Sequence, residues 1–188
     1  MSRLAFDAYM TPRYVCDALV PLLGGYRQRV IEPSAGTGNW VQAYKQAFPA
    51  ATVAAWDVQD FRTNGHYPDA IYIQEDFLET QPKAHADLVL GNPPYKHAEA
   101  FVRHSLAWCR PSGRVAFLLR MGFLASRRRF SLLEEHPPTL VCSLGGRPSF
   151  TGGGTDRYDY AFIVWDRHPP QITQWTHLLL PSIKRRTS

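Results

Sequence analysis

Val89-Leu90-Gly91-Asn92-Pro93-Pro94-Tyr95 breaks the chain near its middle. The apolar run from Ala86 to Leu90 that enters it reads as a buried strand. Gly91 and two prolines then stop the ladder, because proline has no amide hydrogen to give it. A residue before proline is pushed out of helical geometry, so Asn92 is expected at a strand end in a stiff, extended turn. This leaves both proline carbonyls unpaired and gives Tyr95 a fixed direction. An amide oxygen, a carbonyl and an aromatic face at the mouth of a sheet suit a flat base that carries an amino group. The same residues also suit an ordinary strand-ending turn.

Outward from this turn, strands and helices alternate. Upstream, Thr11 and Pro12 are suited to the N-cap and first position of a helix carrying Val15, Ala18, Leu19 and Leu22, which Gly24-Gly25 ends. Its free amides are a place for an anionic group. Arg29 to Glu32 is a short strand; Pro33-Ser34-Ala35-Gly36-Thr37-Gly38 follows, then a helix from about Asn39 to Phe48. A strand, a glycine-rich turn and a helix form the layout of a nucleotide-type site, where glycine permits close backbone approach. The turn lacks the lysine of a P-loop and the third glycine of a dinucleotide fingerprint. Thr52 to Asp57 is a second strand. Asp57 follows Gly38 by about twenty residues, the offset at which a carboxylate meets ribose hydroxyls. Ile71 to Gln74 is a third strand ending near Asp76-Phe77, an acid and an aromatic able to hold an adenine, or equally a helix cap and a core side chain.

Downstream, His97 to Cys109 reads as a helix, Pro111-Ser112-Gly113 as a turn and Val115 to Leu119 as a buried strand. Met121 to Glu135 is partly helical, Thr139 to Leu144 is another strand, Gly145 to Arg157 is a loop, and Tyr158 to Trp165 is the last clear strand. Ile172 to Leu180 fits an edge strand or a short helix. The expected architecture is α/β: a doubly wound, mostly parallel seven-stranded sheet with an antiparallel last strand, in which both signature turns lie at strand carboxyl ends.

With 188 residues, 45% of them hydrophobic and 20% charged, the chain is expected to be one globular domain over 1–188. No run approaches a membrane span, and Met1 to Asp7 has no apolar signal core, which points to a cytoplasmic protein without a membrane partner. Cys16, Cys109 and Cys142 show no metal-ligand spacing and read as small core residues in a reducing compartment; no metal is expected. A net charge of +5 fits a polyanionic partner without requiring one.

Glu32 to Gly38 followed by Asn92 to Tyr95 resembles the class I S-adenosylmethionine-dependent amino-methyltransferases, and among them the DNA adenine-N6 methyltransferases. The motif order agrees, Tyr9-Met10-Thr11-Pro12 resembles the motif before the first strand, and Phe150 to Asp156 with Tyr160 to Trp165 resembles the closing region of small phage-type members. The resemblance implies S-adenosylmethionine as cofactor. Tyr9, Thr11, Ser34, Ala35, Gly36 and Gly38 would surround its methionine part and Glu32 would meet its ammonium. Asp57 would bind the ribose, and Asp76 and Phe77 the adenine; Glu32 is otherwise a surface ion pair. Asn92, Pro93, Pro94 and Tyr95 would be the catalytic turn, with Asn92 also touching the cofactor, the Asn92 oxygen and the Pro93 carbonyl accepting the two amine hydrogens and Tyr95 stacking on an extruded base. DNA is the implied partner, single- or double-stranded. Lys96, Arg120, Arg127, Arg128, Arg129, Arg147 and Arg157 would line its phosphates, and Phe150 would be a second aromatic wall or a core residue.

Sequence-specific members of that family carry an added target-recognition domain, and no interval here is long enough for one, so a short or relaxed site preference is expected. Monomer and homodimer are both open. Enzymes that methylate RNA adenine, cytosine-N4 or protein glutamine share the Asn-Pro-Pro-Tyr turn and remain alternatives, as does a non-catalytic nucleic-acid-binding module.

Overall fold

Apolar runs without polar alternation become central strands here because helices cover the sheet on both sides. The computed structural model describes residues 10–83, 85–150, 156–168 and 171–181. Its strands are β1 (Arg29–Glu32), β2 (Thr52–Asp57), β3 (Ala70–Gln74), β4 (Ala86–Gly91), β5 (Cys109–Arg120), β6 (Leu140–Gly145), β7 (Tyr160–Asp166) and β8 (Gln174–Leu179). The helices are α1 (Arg13–Leu19), α2 (Asn39–Ala47), α3 (Ala98–Trp108) and α4 (Phe130–Glu135). None of the described helices is long and apolar enough to cross a membrane.

The strands form one eight-stranded sheet in the order β3-β2-β1-β4-β5-β7-β6-β8. Only β7 runs against its neighbours, β5 and β6; β8 lies parallel to β6 at the edge. The expected seven strands are therefore eight, and the antiparallel strand is next to last in the chain. The ambiguous tail is the added strand. Its side chains are largely exposed, with Trp175 and Leu179 prominent, so backbone pairing to β6 rather than burial fixes it.

Successive residues of each central strand enter opposite cores. On β5, Ala116 and Leu118 face the side covered by Val15, Leu19, Trp40 and Tyr44 of α1 and α2. Val115, Phe117 and Leu119 face Phe101, Val102 and Leu106 of α3 and Leu132 of α4. β7 does the same, with Phe162 against the first core and Trp165 in the second. Pro111 to Gly113, expected as a turn, is a bulge within β5: the β4–β5 register jumps from Ala86↔Cys109 to Leu88↔Arg114. The three cysteines are free and buried, as expected for core residues.

The chain winds outward from β1 to β3, returns, and continues from β4 to β5 on the other side of β1. The strand order thus reverses between β1 and β4, whose paired residues are Val30↔Leu88 and Ile31↔Val89. In open α/β sheets, ligands sit in the crevice at such a point.

Candidate active site

The turns after β1 and β4 meet at this crevice. A Cβ on Gly91 would lie 3.5 Å from Pro33 and 3.7 Å from Glu32, and the Ser34 hydroxyl donates to the Asn92 carbonyl at 3.4 Å. Two features far apart in sequence are thus one site. In the second turn, Pro93 is buried and the Pro94 carbonyl accepts from the His97 amide at 2.9 Å. The expectation of two unpaired proline carbonyls is corrected at this point: Pro94 is bonded into the entry of α3. Tyr95 packs its ring 5.8 Å from that of Tyr160, and its hydroxyl interacts with Tyr160 and with the Asn92 side chain. Burial pushes that phenol well above its ordinary range, so Tyr95 works as a neutral ring.

The first turn is held by side chains reaching in from neighbouring strands. Asp57 accepts from the Gly36 amide at 2.9 Å with one carboxylate oxygen and from the Gln59 amide at 3.0 Å with the other. Burial raises its pKa somewhat against these bonds. Glu32 is 2% exposed, so the alternative of a surface ion pair does not hold. Its carboxyl accepts from the Val41 amide at 3.2 Å, satisfying one of the free donors in the first turn of α2. Burial, and secondarily the nearby Asp57, hold Glu32 well above the usual carboxylate range.

Thr11 does not cap α1. The helix begins at Arg13 with Pro12 as its cap, and no side chain among the described residues bonds that end. Instead the Thr11 carbonyl accepts from the Asn39 side chain at 2.8 Å, tying the segment before α1 to the start of α2. Met10, Thr11, Glu32, Ser34, Gly36, Trp40 and Asn92 then line one small cavity of about 20 Å³. The Thr11 hydroxyl and the Trp40 indole N–H, on two of these lining residues, are buried with no hydrogen-bond partner among the described residues. Buried polar atoms are ordinarily satisfied, so these two donors beside a polar-lined cavity are candidates for a ligand's acceptors. The Met10 thioether lies against Gly36, where any Cβ would collide with it.

Asp76 and Phe77 point in different directions. The Asp76 carboxylate caps the following turn, accepting from the Leu78 amide at 2.9 Å. The Phe77 ring is 1% exposed among Trp56, Phe101, His104 and Trp108, so it does not face a base in the crevice. Phe150 packs 5.1 Å from Tyr160 as part of the first core. Tyr9 and residues 151–155 lie outside the described residues.

The cations separate into two groups. Lys96, Arg127, Arg128 and Arg157 are exposed. Arg147 pairs with Asp159 at 2.9 Å, Arg129 lies over the Phe123 ring, and Arg120 lies over the rings of Tyr95 and Tyr158.

Sequence reading missed the loop after β2. The Tyr67 hydroxyl donates to the Gly36 carbonyl, and the His66 amide donates to the Thr37 carbonyl at 3.1 Å. No local pattern marks these residues, because their partners are about thirty positions away. They explain a strict demand at Gly38, whose φ is +81° and whose Cβ would strike the His66 carbonyl. Gly38→Ala is expected to destabilise the fold by about 2 kcal/mol and lower Tm by about 4–8 °C. A thermal melt that matches wild type would contradict this account of the turn.

Several solved structures resemble the fold. A Listeria monocytogenes protein described as a class I S-adenosylmethionine-dependent methyltransferase gives a TM-score of 0.73 at 12% identity, over 93% of this chain and 67% of that one. An Agrobacterium tumefaciens protein described as an O-methyltransferase gives 0.68 at 16%, over 91% and 87%. The 23S rRNA methyltransferase ErmE gives 0.64 at 14%, over 87% and 72%. No protein-family model and no curated protein sequence matches the chain. At these identities the likeness is one of architecture, and the architecture is the Rossmann-like methyltransferase fold.

Proposed function

We propose that this protein transfers a methyl group from S-adenosylmethionine to the N6 amine of adenine in DNA. The observation that carries the reading is the junction of the two turns, with Ser34 bonded to Asn92 across the strand-order reversal. The cavity residues fit the methionine end of such a cofactor. Thr11 and Trp40 line it and carry unpartnered donors that would serve a carboxylate, and buried Glu32 would offer an acceptor to an ammonium. Asp57, at the end of the neighbouring strand, would receive the ribose hydroxyls.

When bound, the cofactor would supply an electrophilic methyl on a sulfonium whose leaving group is a neutral thioether, and the methylated amine would lose one proton to water. The protein's part is placement and charge. The amine of adenine is a poor nucleophile because its lone pair is delocalised into the ring. The Asn92 oxygen and the Pro93 carbonyl would accept its two hydrogens, favouring a more tetrahedral nitrogen with its lone pair directed into the crevice. Tyr95 would present its ring to the base, and in a duplex that base must leave the stack. No nucleophilic side chain is needed: the three cysteines are buried, and burial raises the pKa of each thiol.

For the polynucleotide, the exposed Arg127 and Arg128 are the first candidates for phosphate contacts. Replacing both with alanine is expected to reduce the slope of log affinity against log salt by nearly 2, with cofactor binding unchanged. An unaltered slope would remove these residues from the phosphate track.

RNA adenine is the second reading, favoured by the fold likeness to the 23S rRNA methyltransferase ErmE. Labelled methyl transfer offered in parallel to DNA, RNA and protein, with products identified as modified bases or residues, tests both. Product in N6-methyladenine of DNA supports the first reading, and product confined to RNA supports the second. Nucleic-acid binding without binding or consumption of S-adenosylmethionine would mark a non-catalytic module.

A further inference from the structure

Arg120 ends β5 beside the catalytic turn, and its guanidinium carbon lies 4.4 Å from the centroid of the Tyr95 ring and 3.9 Å from that of Tyr158. Tyr158 is 42% exposed and stands just before β7, so one of the two rings belongs to the catalytic turn and the other to an outer loop. A planar guanidinium, unlike an ammonium, can lie against aromatic rings much as a nucleobase does. Arg120 also interacts with the Tyr160 hydroxyl, which donates to Asp156 at 2.9 Å. Its Nε is buried without a hydrogen-bond partner, and no ion pair joins it to a carboxylate among the described residues. This cation is therefore held by two rings and the Tyr160 hydroxyl, with no carboxylate paired to it among the described residues.

We infer that Arg120 is a place-holder for the substrate base: it lies against Tyr95 and Tyr158 until a nucleotide arrives, then yields the rings to the base and moves onto the nucleotide's phosphate. The inference rests on the adenine reading above and adds a selectivity device to it. Two physical points carry it. A base cannot stack on the face of Tyr95 that the guanidinium covers, so one must replace the other. Methyl transfer also places positive charge on the amine nitrogen, and a cation left between the rings would oppose that charge. A free nucleoside offers the displaced guanidinium no anion, whereas a nucleotide within a strand offers a phosphate, a strong partner for arginine. Displacement is thus compensated only for a phosphate-bearing substrate.

The test compares kcat/KM for deoxyadenosine with that for a short adenine-containing oligonucleotide in wild type, Arg120→Ala and Arg120→Lys. Alanine removes both the place-holder and the phosphate contact. The ratio of oligonucleotide to deoxyadenosine efficiency is expected to fall at least about tenfold, with part of the change being a gain on deoxyadenosine. Lysine keeps the charge but not the plane, so it should retain oligonucleotide efficiency while also gaining on deoxyadenosine. A 2-aminopurine base at the target position gives a readout without turnover, and its fluorescence should be quenched at lower protein concentration in the free-nucleoside series of both variants. If Arg120→Ala does not fold, the lysine variant decides alone. Equal losses on both substrates, or an unchanged ratio, overturn the inference while leaving the adenine reading intact. A wild-type protein that methylates adenine in neither substrate overturns both.

Discussion

Replacing Asn92 with alanine is expected to lower kcat for methyl transfer about 10³-fold, the scale on which one preorganised polar group at a reacting atom acts. Its side chain stands at the end of β4, with its backbone carbonyl anchored by Ser34 and its amide in contact with Tyr95. The substitution removes the acceptor that would draw one amine hydrogen and fix the orientation of the lone pair. It leaves the prolines, which fix the backbone by their rings, in place, so the turn should keep its shape. Cofactor affinity measured by calorimetry should change by less than about tenfold, because the residues proposed for the carboxyl, ribose and ammonium are others. Asn92→Asp, which keeps an oxygen at the same position, should recover part of the rate. A wild-type rate in the alanine variant would remove Asn92 from the chemistry, and a loss of cofactor binding equal to the loss of rate would make it a cofactor ligand only.

The sequence discloses those features whose cause is local or periodic. β4 is legible because all six of its residues are buried, and β5 and β7 because helices on both sides leave no polar alternation. The pairing of the two signature turns follows from strand order and right-handed crossovers, which restrict where β1 and β4 can lie. β8 is illegible for the converse reason: its residues bury little, so neither run nor period marks it. Adjacency says nothing about direction at Asp76-Phe77: the acid caps a helical turn with one oxygen and stays exposed, while the ring enters the core between Trp56 and Trp108. Arg120 was readable as a cation at a strand end, but its stacking depends on Tyr158, which reaches it through the antiparallel pairing of β7 with β5. The grip of Tyr67 on Gly36 is likewise a long-range contact without a local signal.

The second large effect concerns Glu32, where stability and ligand affinity are expected to move in opposite directions. In the folded protein, burial holds this carboxyl well above the carboxylate range, with the Val41 amide opposing it by hydrogen bonding. Its unfolded value is about 4.3. A group whose folded pKa is raised contributes stability that is complete below the unfolded value and is lost as pH rises through the folded one. Wild type should therefore lose stability from about pH 4.3 upward. Glu32→Gln, which keeps an acceptor for the Val41 amide and never ionises, should lose less, so its melting temperature relative to wild type should increase with pH. An ammonium placed beside Glu32 reverses the balance by favouring the carboxylate. Binding of S-adenosylmethionine should then release a proton and tighten as pH rises, until the ligand's own amine begins to deprotonate near about 7.7–8.0. Calorimetry in buffers of different ionisation enthalpy reads that proton directly. The glutamine variant should release none and bind at least about 10²-fold more weakly, the scale expected when one partner of a buried charge pair is removed. A variant that is more stable at high pH yet binds the ligand as wild type does would make Glu32 a cap for α2 and nothing more.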